Sequence, residues 1–129
     1  MLESVGFLFV ARVLLAFGCR VLAYDPFPRA DLEASGVEYR AWEELLGAVD
    51  LLTLHCPLTP ETYHLLRRES LARLRDGVVL VNTSRGGLIE TAALLEALQQ
   101  GRLGAVGLDV YEEEEGVFFE DLSQSLLSD

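Results

Sequence analysis

Cysteine is scarce. Cys19 and Cys56 are the only two in 129 residues, too few for a disulfide framework, so a reducing, cytoplasmic setting is expected. Basic residues are also few. Ten Lys and Arg stand against 21 Asp and Glu, a formal net charge of −11. That balance argues against a nucleic-acid surface, because phosphate binding needs clustered Lys and Arg. No run of about 18 uncharged apolar residues exists; the stretch Met1 to Ala16 is interrupted by Glu3 and Arg12. A basic n-region of the kind that opens a signal peptide is lacking too. Neither a membrane nor a nucleic acid is therefore expected as a partner. No internal repeat or low-complexity linker divides the chain. What is plentiful is apolar: half of the residues are hydrophobic, which excludes disorder and suits one domain, residues 1–129, with a core of its own.

The apolar residues fall in a pattern. Leu2, Val5, Leu8, Phe9, Val13 and Leu14 predict a buried helix, with Gly18 where a helix C-terminal glycine belongs. Arg20 to Tyr24 reads as a short strand stopped by Asp25-Pro26-Phe27-Pro28, and Gly36 to Tyr39 as a second. One or two helical turns follow from Trp42 to Gly47, then a strand over Asp50 to Leu54. A helical stretch is predicted over Thr62 to Leu74, ended by Asp76-Gly77. Val78 to Val81 is wholly apolar, as expected of a strand covered on both faces. Thr91 is expected to cap a helix that presents Leu94, Leu95 and Leu98 on one face and ends at Gly101. Gly104 to Leu108 makes a last strand, with Asp109 at its end. Strands and helices alternating every 20 to 30 or so residues indicate βαβ units, and the fold class is a doubly wound α/β domain with a parallel sheet.

In open α/β sheets, ligands bind outside the carboxyl ends of the strands. Four such ends carry polar residues: Asp25; His55-Cys56-Pro57; Asn82-Thr83-Ser84-Arg85-Gly86-Gly87; and Asp109, followed by Tyr111 and the acidic run Glu112 to Glu115. Each has an ordinary explanation as a turn former, a loop cap or a solvated loop. Their coincidence at strand ends marks a ligand crevice.

Three ordered segments carry a resemblance. They are Thr53-Leu-His55-Cys-Pro57-Leu-Thr59-Pro60, Val81-Asn-Thr-Ser-Arg85-Gly-Gly-Leu-Ile-Glu90, and Gly107-Leu-Asp109-Val-Tyr111-Glu112 with Glu114. Together they resemble the D-isomer-specific 2-hydroxyacid dehydrogenases, over most of the chain from about Val10 to about Ser123. The Asp-Val-Tyr-Glu stretch followed by Phe118-Phe119-Glu120-Asp121 is most similar to the bacterial D-lactate dehydrogenases of that family. The implied fold is the Rossmann-like NAD-binding domain, the implied cofactor is NAD without a metal, and the implied substrate is a small 2-oxo or 2-hydroxy acid. The resemblance also implies a homo- or heterodimer formed through the coenzyme domain.

Roles follow from the same resemblance. Asp25 matches the acidic residue that accepts hydrogen bonds from the adenosine ribose and repels the extra phosphate of NADP. Cys56 and Pro57 match residues lining the dinucleotide cleft. Thr83, Ser84 and Arg85 match the segment beside the nicotinamide, and Arg85 can hold a substrate carboxylate in two parallel hydrogen bonds. Asp109 matches a residue at the nicotinamide end. Glu114 matches the carboxylate that pairs with the catalytic histidine and raises its pKa. Glu112, Glu113 and Glu115 are read as its solvated neighbours. His55 and His64 match no catalytic position and are read as structural.

The pattern departs at both ends. A dinucleotide fold opens with a strand and a G-x-G-x-x-G loop, but Leu2, Ser4 and Phe7 stand where its glycines belong, and Gly6 does not restore the spacing. In the strand order 3-2-1-4-5-6 the first strand is central, so the two predicted strands around Ala23 and Leu52 either pair directly or flank a slot. No histidine follows Glu114 and no substrate domain is present within these residues. The chain by itself is thus expected to be inactive as an NAD-dependent oxidoreductase and to bind NAD no tighter than millimolar. The alternatives are a non-catalytic nucleotide-binding or dimerisation module, and a gene remnant.

Overall fold

A computed structural model describes residues 2–109, with side chains from residue 6 onward. Glu112 to Glu115, and with them Glu114, lie outside the described residues. The chain begins with helix α1 (Leu2–Ala16), followed by β1 (Leu22–Ala23), α2 (Ala30–Ser35), β2 (Glu38–Tyr39) and α3 (Trp42–Ala48). It continues with β3 (Leu51–Leu54), α4 (Arg68–Arg73), β4 (Val78–Asn82), a 3-10 turn (Gly86–Leu88), α5 (Thr91–Gln99) and β5 (Leu103–Leu108).

Every strand pair is parallel. Two sheets result: β1 pairs with β2, and β3-β4-β5 form a second sheet with β4 in its centre. β1 and β3 are not hydrogen-bonded to each other, so of the two expected arrangements the unjoined one is found. The sheets still share packing, because Leu22 of β1 sits against the main core.

That core lies on one face of the three-stranded sheet. Leu52, Leu54, Val78 and Leu80 point from the strands toward Leu45 and Leu46 of α3, Leu71 of α4 and Leu94 of α5. A smaller cluster forms where Phe7, Leu8, Ala11, Leu14 and Leu15 of α1 meet Val21, Ala23, Leu32 and Val37. Their spacing of three and four residues is what places these α1 side chains on one face. The opposite face of α1 is apolar as well: Phe9, Val13 and Phe17 are 64%, 52% and 80% exposed.

The helix expected over Thr62 to Leu74 is confined to Arg68–Arg73. The residues before it are claimed by other hydrogen bonds. Thr59 and Thr62 tie a turn together, the Thr59 N–H donating to Thr62 Oγ1 at 2.7 Å. His64 takes a left-handed backbone conformation, with φ at 52°. Leu66 forms a parallel bridge with Ile89, its N–H reaching the Leu88 carbonyl at 2.9 Å while Glu90 N–H reaches the Leu66 carbonyl at 2.8 Å. A residue whose donor and acceptor are both spent on a neighbouring strand has none left for a helix. Thr91 is likewise not a cap. It is the first residue of α5, buried, and Glu90 occupies the capping position in extended conformation without a side-chain bond. Among the described residues no helix is long and apolar enough to cross a membrane.

Candidate functional site

Register places the site. Leu54, Asn82 and Leu108 are aligned across β3, β4 and β5, so the segments leaving these strands emerge from one sheet edge. They carry His55-Cys56-Pro57, Thr83-Ser84-Arg85 and Asp109. Two hydrogen bonds lace this edge across the strands: Ser84 Oγ donates to the Cys56 carbonyl at 2.9 Å, and Asp109 N–H donates to the Asn82 carbonyl at 3.1 Å.

The β4 loop is the most built part of the edge. Arg85 is extended, with φ −139° and ψ 135°, and its side chain is exposed. Its Nη1 donates to the Ser84 carbonyl at 3.1 Å, and among the described residues no carboxylate is paired with it. Thr83 is exposed, and Ser84 and Cys56 are half-buried. Behind the loop, Gly87 lies so close to Leu58 that an added Cβ would come within 3.0 Å of a Leu58 methyl. A glycine there lets the segment after Pro57 pack directly on the 3-10 turn.

Asp25 stands two residues beyond β1, at the end of the other sheet. Its Oδ1 accepts the Phe27 N–H at 2.8 Å, the turn expected of Asp before Pro. One carboxylate oxygen of Asp25 thus serves the turn. The neighbouring Tyr24 ring is 5.7 Å from Trp42, and Trp42 packs against the main core, so this corner is anchored to the larger sheet's side of the domain.

Both histidines make contacts within the fold. His55 Nε2 is 3.0 Å from Thr53 Oγ1, and its ring is 6.3 Å from Phe7 of α1. Burial in these surroundings pushes its pKa below the ordinary imidazole value. His64 stacks on Tyr63 at 3.9 Å and lies 4.0 Å from Glu90. Among the described residues no cluster of three or more potential ligands suited to a metal is found.

Asn82 was missed as a site residue by reasoning from sequence. It ends an apolar strand, is 1% exposed, and binds its own loop twice. The signal was available: a carboxamide at an inward-facing strand position has to be satisfied by something.

A fit to a dinucleotide can be read from these positions. Donors and acceptors for its two ends are present at Asp25 and at the β3, β4 and β5 edge. For the pyrophosphate, the start of α1 has only Gly6 as a glycine, and an added Cβ there would meet nothing within 4 Å.

Residues 8–126 match the family described as D-isomer specific 2-hydroxyacid dehydrogenase, NAD binding domain. A 2-hydroxyacid dehydrogenase homolog of Haemophilus influenzae is 50% identical over 120 residues, covering 93% of this chain and 36% of the relative. D-lactate dehydrogenase of Escherichia coli is 48% identical over 118 residues, covering 92% of this chain and 36% of that enzyme. The crystal structure of D-lactate dehydrogenase from Aquifex aeolicus, complexed with NAD and lactic acid, superposes with a TM-score of 0.81 at 42% identity, covering 89% of this chain and 34% of that one. The chain thus spans about a third of the length of the relatives it matches. With its parallel Rossmann-like architecture and a match over nearly its whole length, the chain belongs to the D-isomer-specific 2-hydroxyacid dehydrogenases, as their NAD-binding domain.

Proposed function

We propose that the chain is the coenzyme part of a D-lactate-dehydrogenase-type enzyme that interconverts a 2-oxo acid and a D-2-hydroxy acid. The observation that carries this reading is the laced edge of β3, β4 and β5, with the Arg85 guanidinium exposed and free of any carboxylate partner among the described residues. NAD supplies the hydride acceptor or donor when bound. Asp25 receives the adenosine ribose on its second oxygen and disfavours a 2′-phosphate by charge. Cys56 and Pro57 line the dinucleotide cleft. Thr83, Ser84 and Asp109 border the nicotinamide, and Arg85 leaves its own loop carbonyl to hold the substrate carboxylate with two parallel hydrogen bonds.

Proton transfer is the part these residues do not supply. Neither His55, turned into Thr53 and Phe7, nor His64, beside Glu90, stands on the β4 or β5 edge. Glu114 is proposed as the carboxylate that orients a catalytic histidine from outside these 129 residues. Turnover by the isolated chain is therefore not expected.

The test is an NMR titration of the 15N-labelled chain with NAD, alongside calorimetry. Expected are shifts of the Asp25, Cys56, Thr83 to Arg85 and Asp109 amides, with an affinity no tighter than millimolar and a smaller response to NADP. Shifts confined to other residues overturn the assignment of the site. Micromolar binding abolished by Asp25→Ala keeps the site and overturns the argument that the missing glycine cradle sets its affinity.

A second reading, a dimerisation module, rests on the exposed α1 stripe of Phe9, Val13 and Phe17. The two are compatible, since a second copy on α1 leaves the strand-end edge open.

A further inference from the structure

Asn82 is the one fully buried polar residue at the strand-end edge, 1% exposed and in line with Val78 and Leu80 on the core side of β4. Burying an unpaired carboxamide there is unfavourable, whereas burying a leucine is favourable. Its hydrogen bonds all go to the segment that follows and to the neighbouring strand. Oδ1 accepts the Ser84 N–H at 3.0 Å, and Nδ2 donates to the Arg85 carbonyl at 2.8 Å. Its backbone carbonyl accepts the Asp109 N–H at 3.1 Å. The orientation of the amide is forced by its partners, because an N–H only donates and a carbonyl only accepts.

The consequence falls on Arg85. Ser84 is held from behind by Asn82 Oδ1 and in front by its own hydroxyl on the Cys56 carbonyl. Arg85 is held at its carbonyl by Asn82 Nδ2. Asn82 thus holds the peptide before Ser84 and the peptide after Arg85, the two that bracket the Ser84–Arg85 pair, and this restricts the direction in which the Arg85 side chain leaves the sheet. A long arginine otherwise loses much rotamer freedom on meeting a ligand, so a preset exit direction lowers the cost of binding. Few side chains could replace this one. Aspartate of the same size lacks the donor, serine is too short to reach both groups, and leucine satisfies neither.

We propose that Asn82 is a positioning residue, whose buried carboxamide sets the exit direction of Arg85 and thereby the site's affinity for a carboxylate. This rests on the reading of Arg85 as the carboxylate holder.

The test uses the 15N-labelled chain and two variants, Asn82→Asp and Asn82→Ala, with folding checked by circular dichroism. In the free chain, the Arg85 backbone N–H and Nε–Hε resonances are expected to lose order in both variants while Leu88 and Ile89 keep theirs. In Asn82→Asp, Arg85 order is expected to return as the pH falls, because a protonated carboxyl again donates to the Arg85 carbonyl; in Asn82→Ala it does not return. Oxamate, a compact 2-oxo acid analogue, is then titrated in the presence of NADH. The Arg85 Nε response is expected to need about tenfold more oxamate in either variant, with the NADH response at Asp25 changed less than about twofold. Wild-type order at Arg85 in both folded variants overturns the proposal. So does failure of both variants to fold, which makes Asn82 a residue of the core alone; if only Asn82→Ala unfolds, the aspartate variant decides. An oxamate titration that leaves wild-type Arg85 untouched removes the carboxylate reading instead, and the order measured in the free chain still decides what Asn82 does.

Discussion

Ser84 and Cys56 are joined across two strands: the Ser84 hydroxyl donates to the Cys56 carbonyl at 2.9 Å, although 28 residues separate them in sequence. This bond ties the loop after β4 to the segment after β3, two segments of the same strand-end edge. Ser84→Ala removes the donor and leaves a half-buried carbonyl to find water. A loss of about 1 kcal/mol in stability is expected, measured by urea unfolding, with the amides of Cys56 and Pro57 Cα shifting by NMR and those of α5 unmoved. Unchanged stability together with unchanged Cys56 shifts rules out the tie.

Gly104 in β5 faces a harder limit. A Cβ built there collides with the carbonyl oxygen of Gly77, at the point where the β4–β5 register shifts between Val78 and Val79. The obstacle is backbone, so no side-chain rotation relieves it. Gly104→Ala is expected to destabilise the domain by about 1–3 kcal/mol, seen as a lower midpoint in urea without a change of slope. Gly101→Ala is a useful companion, because nothing lies within 4 Å of its added Cβ and only its φ of 70° is strained.

The sequence was most legible where one physical signal dominated. The apolar runs of β3 and β4 were readable as strands, and along β4 every residue is buried or partly buried, as a strand covered on both faces requires. Where two signals competed, the pattern misled. Thr62 to Leu74 reads as one helical stretch, yet Leu66 is spent on a bridge to Ile89. Helix α2 escaped notice because six residues after two prolines show no periodicity; it is held by the burial of Leu32. The proposed site residues could be named from their motifs, since Cys56, Thr83, Arg85 and Asp109 follow closely on readable strands. Asn82 stood in the same segment without a role of its own, because its partners, the Ser84 N–H and the Arg85 carbonyl, are backbone groups whose positions only the fold reveals.

His55 makes the stability pH-dependent. Burial lowers its pKa in the folded chain, so between that value and the unfolded value of about 6.5 the unfolded chain binds the extra proton. Stability is therefore highest above about pH 6.5 and falls as pH drops below it. Replacing His55 by Gln keeps a polar partner for Thr53 and removes the titration. Comparing thermal midpoints at pH 7.5 and 5.5, the drop is expected to be smaller in His55→Gln than in the parent chain. An equal drop in both assigns the pH dependence to groups other than His55.

The stripe on α1 predicts self-association. Phe9, Val13 and Phe17 repeat every four residues along one face and are 64%, 52% and 80% exposed. Burying such side chains is worth about 1.5–3 kcal/mol each when complete, so a two-fold pairing of the stripe, with about six of them partly covered, gains roughly 10 kcal/mol. Association costs about 4–15 kcal/mol, so at the low end of that cost about 6 kcal/mol remains, a weak dimer with a dissociation constant of tens of micromolar or above. Sedimentation velocity from about 5 to 500 μM is expected to show a monomer–dimer equilibrium that salt does not weaken, since the contact is apolar. Phe17→Glu, at the most exposed position, places like charges on the two copies and is expected to leave only monomer, with the helical signal intact. A parent chain that stays monomeric across this range removes α1 as a self-pairing surface, and a dimer unaffected by Phe17→Glu moves the interface to another face.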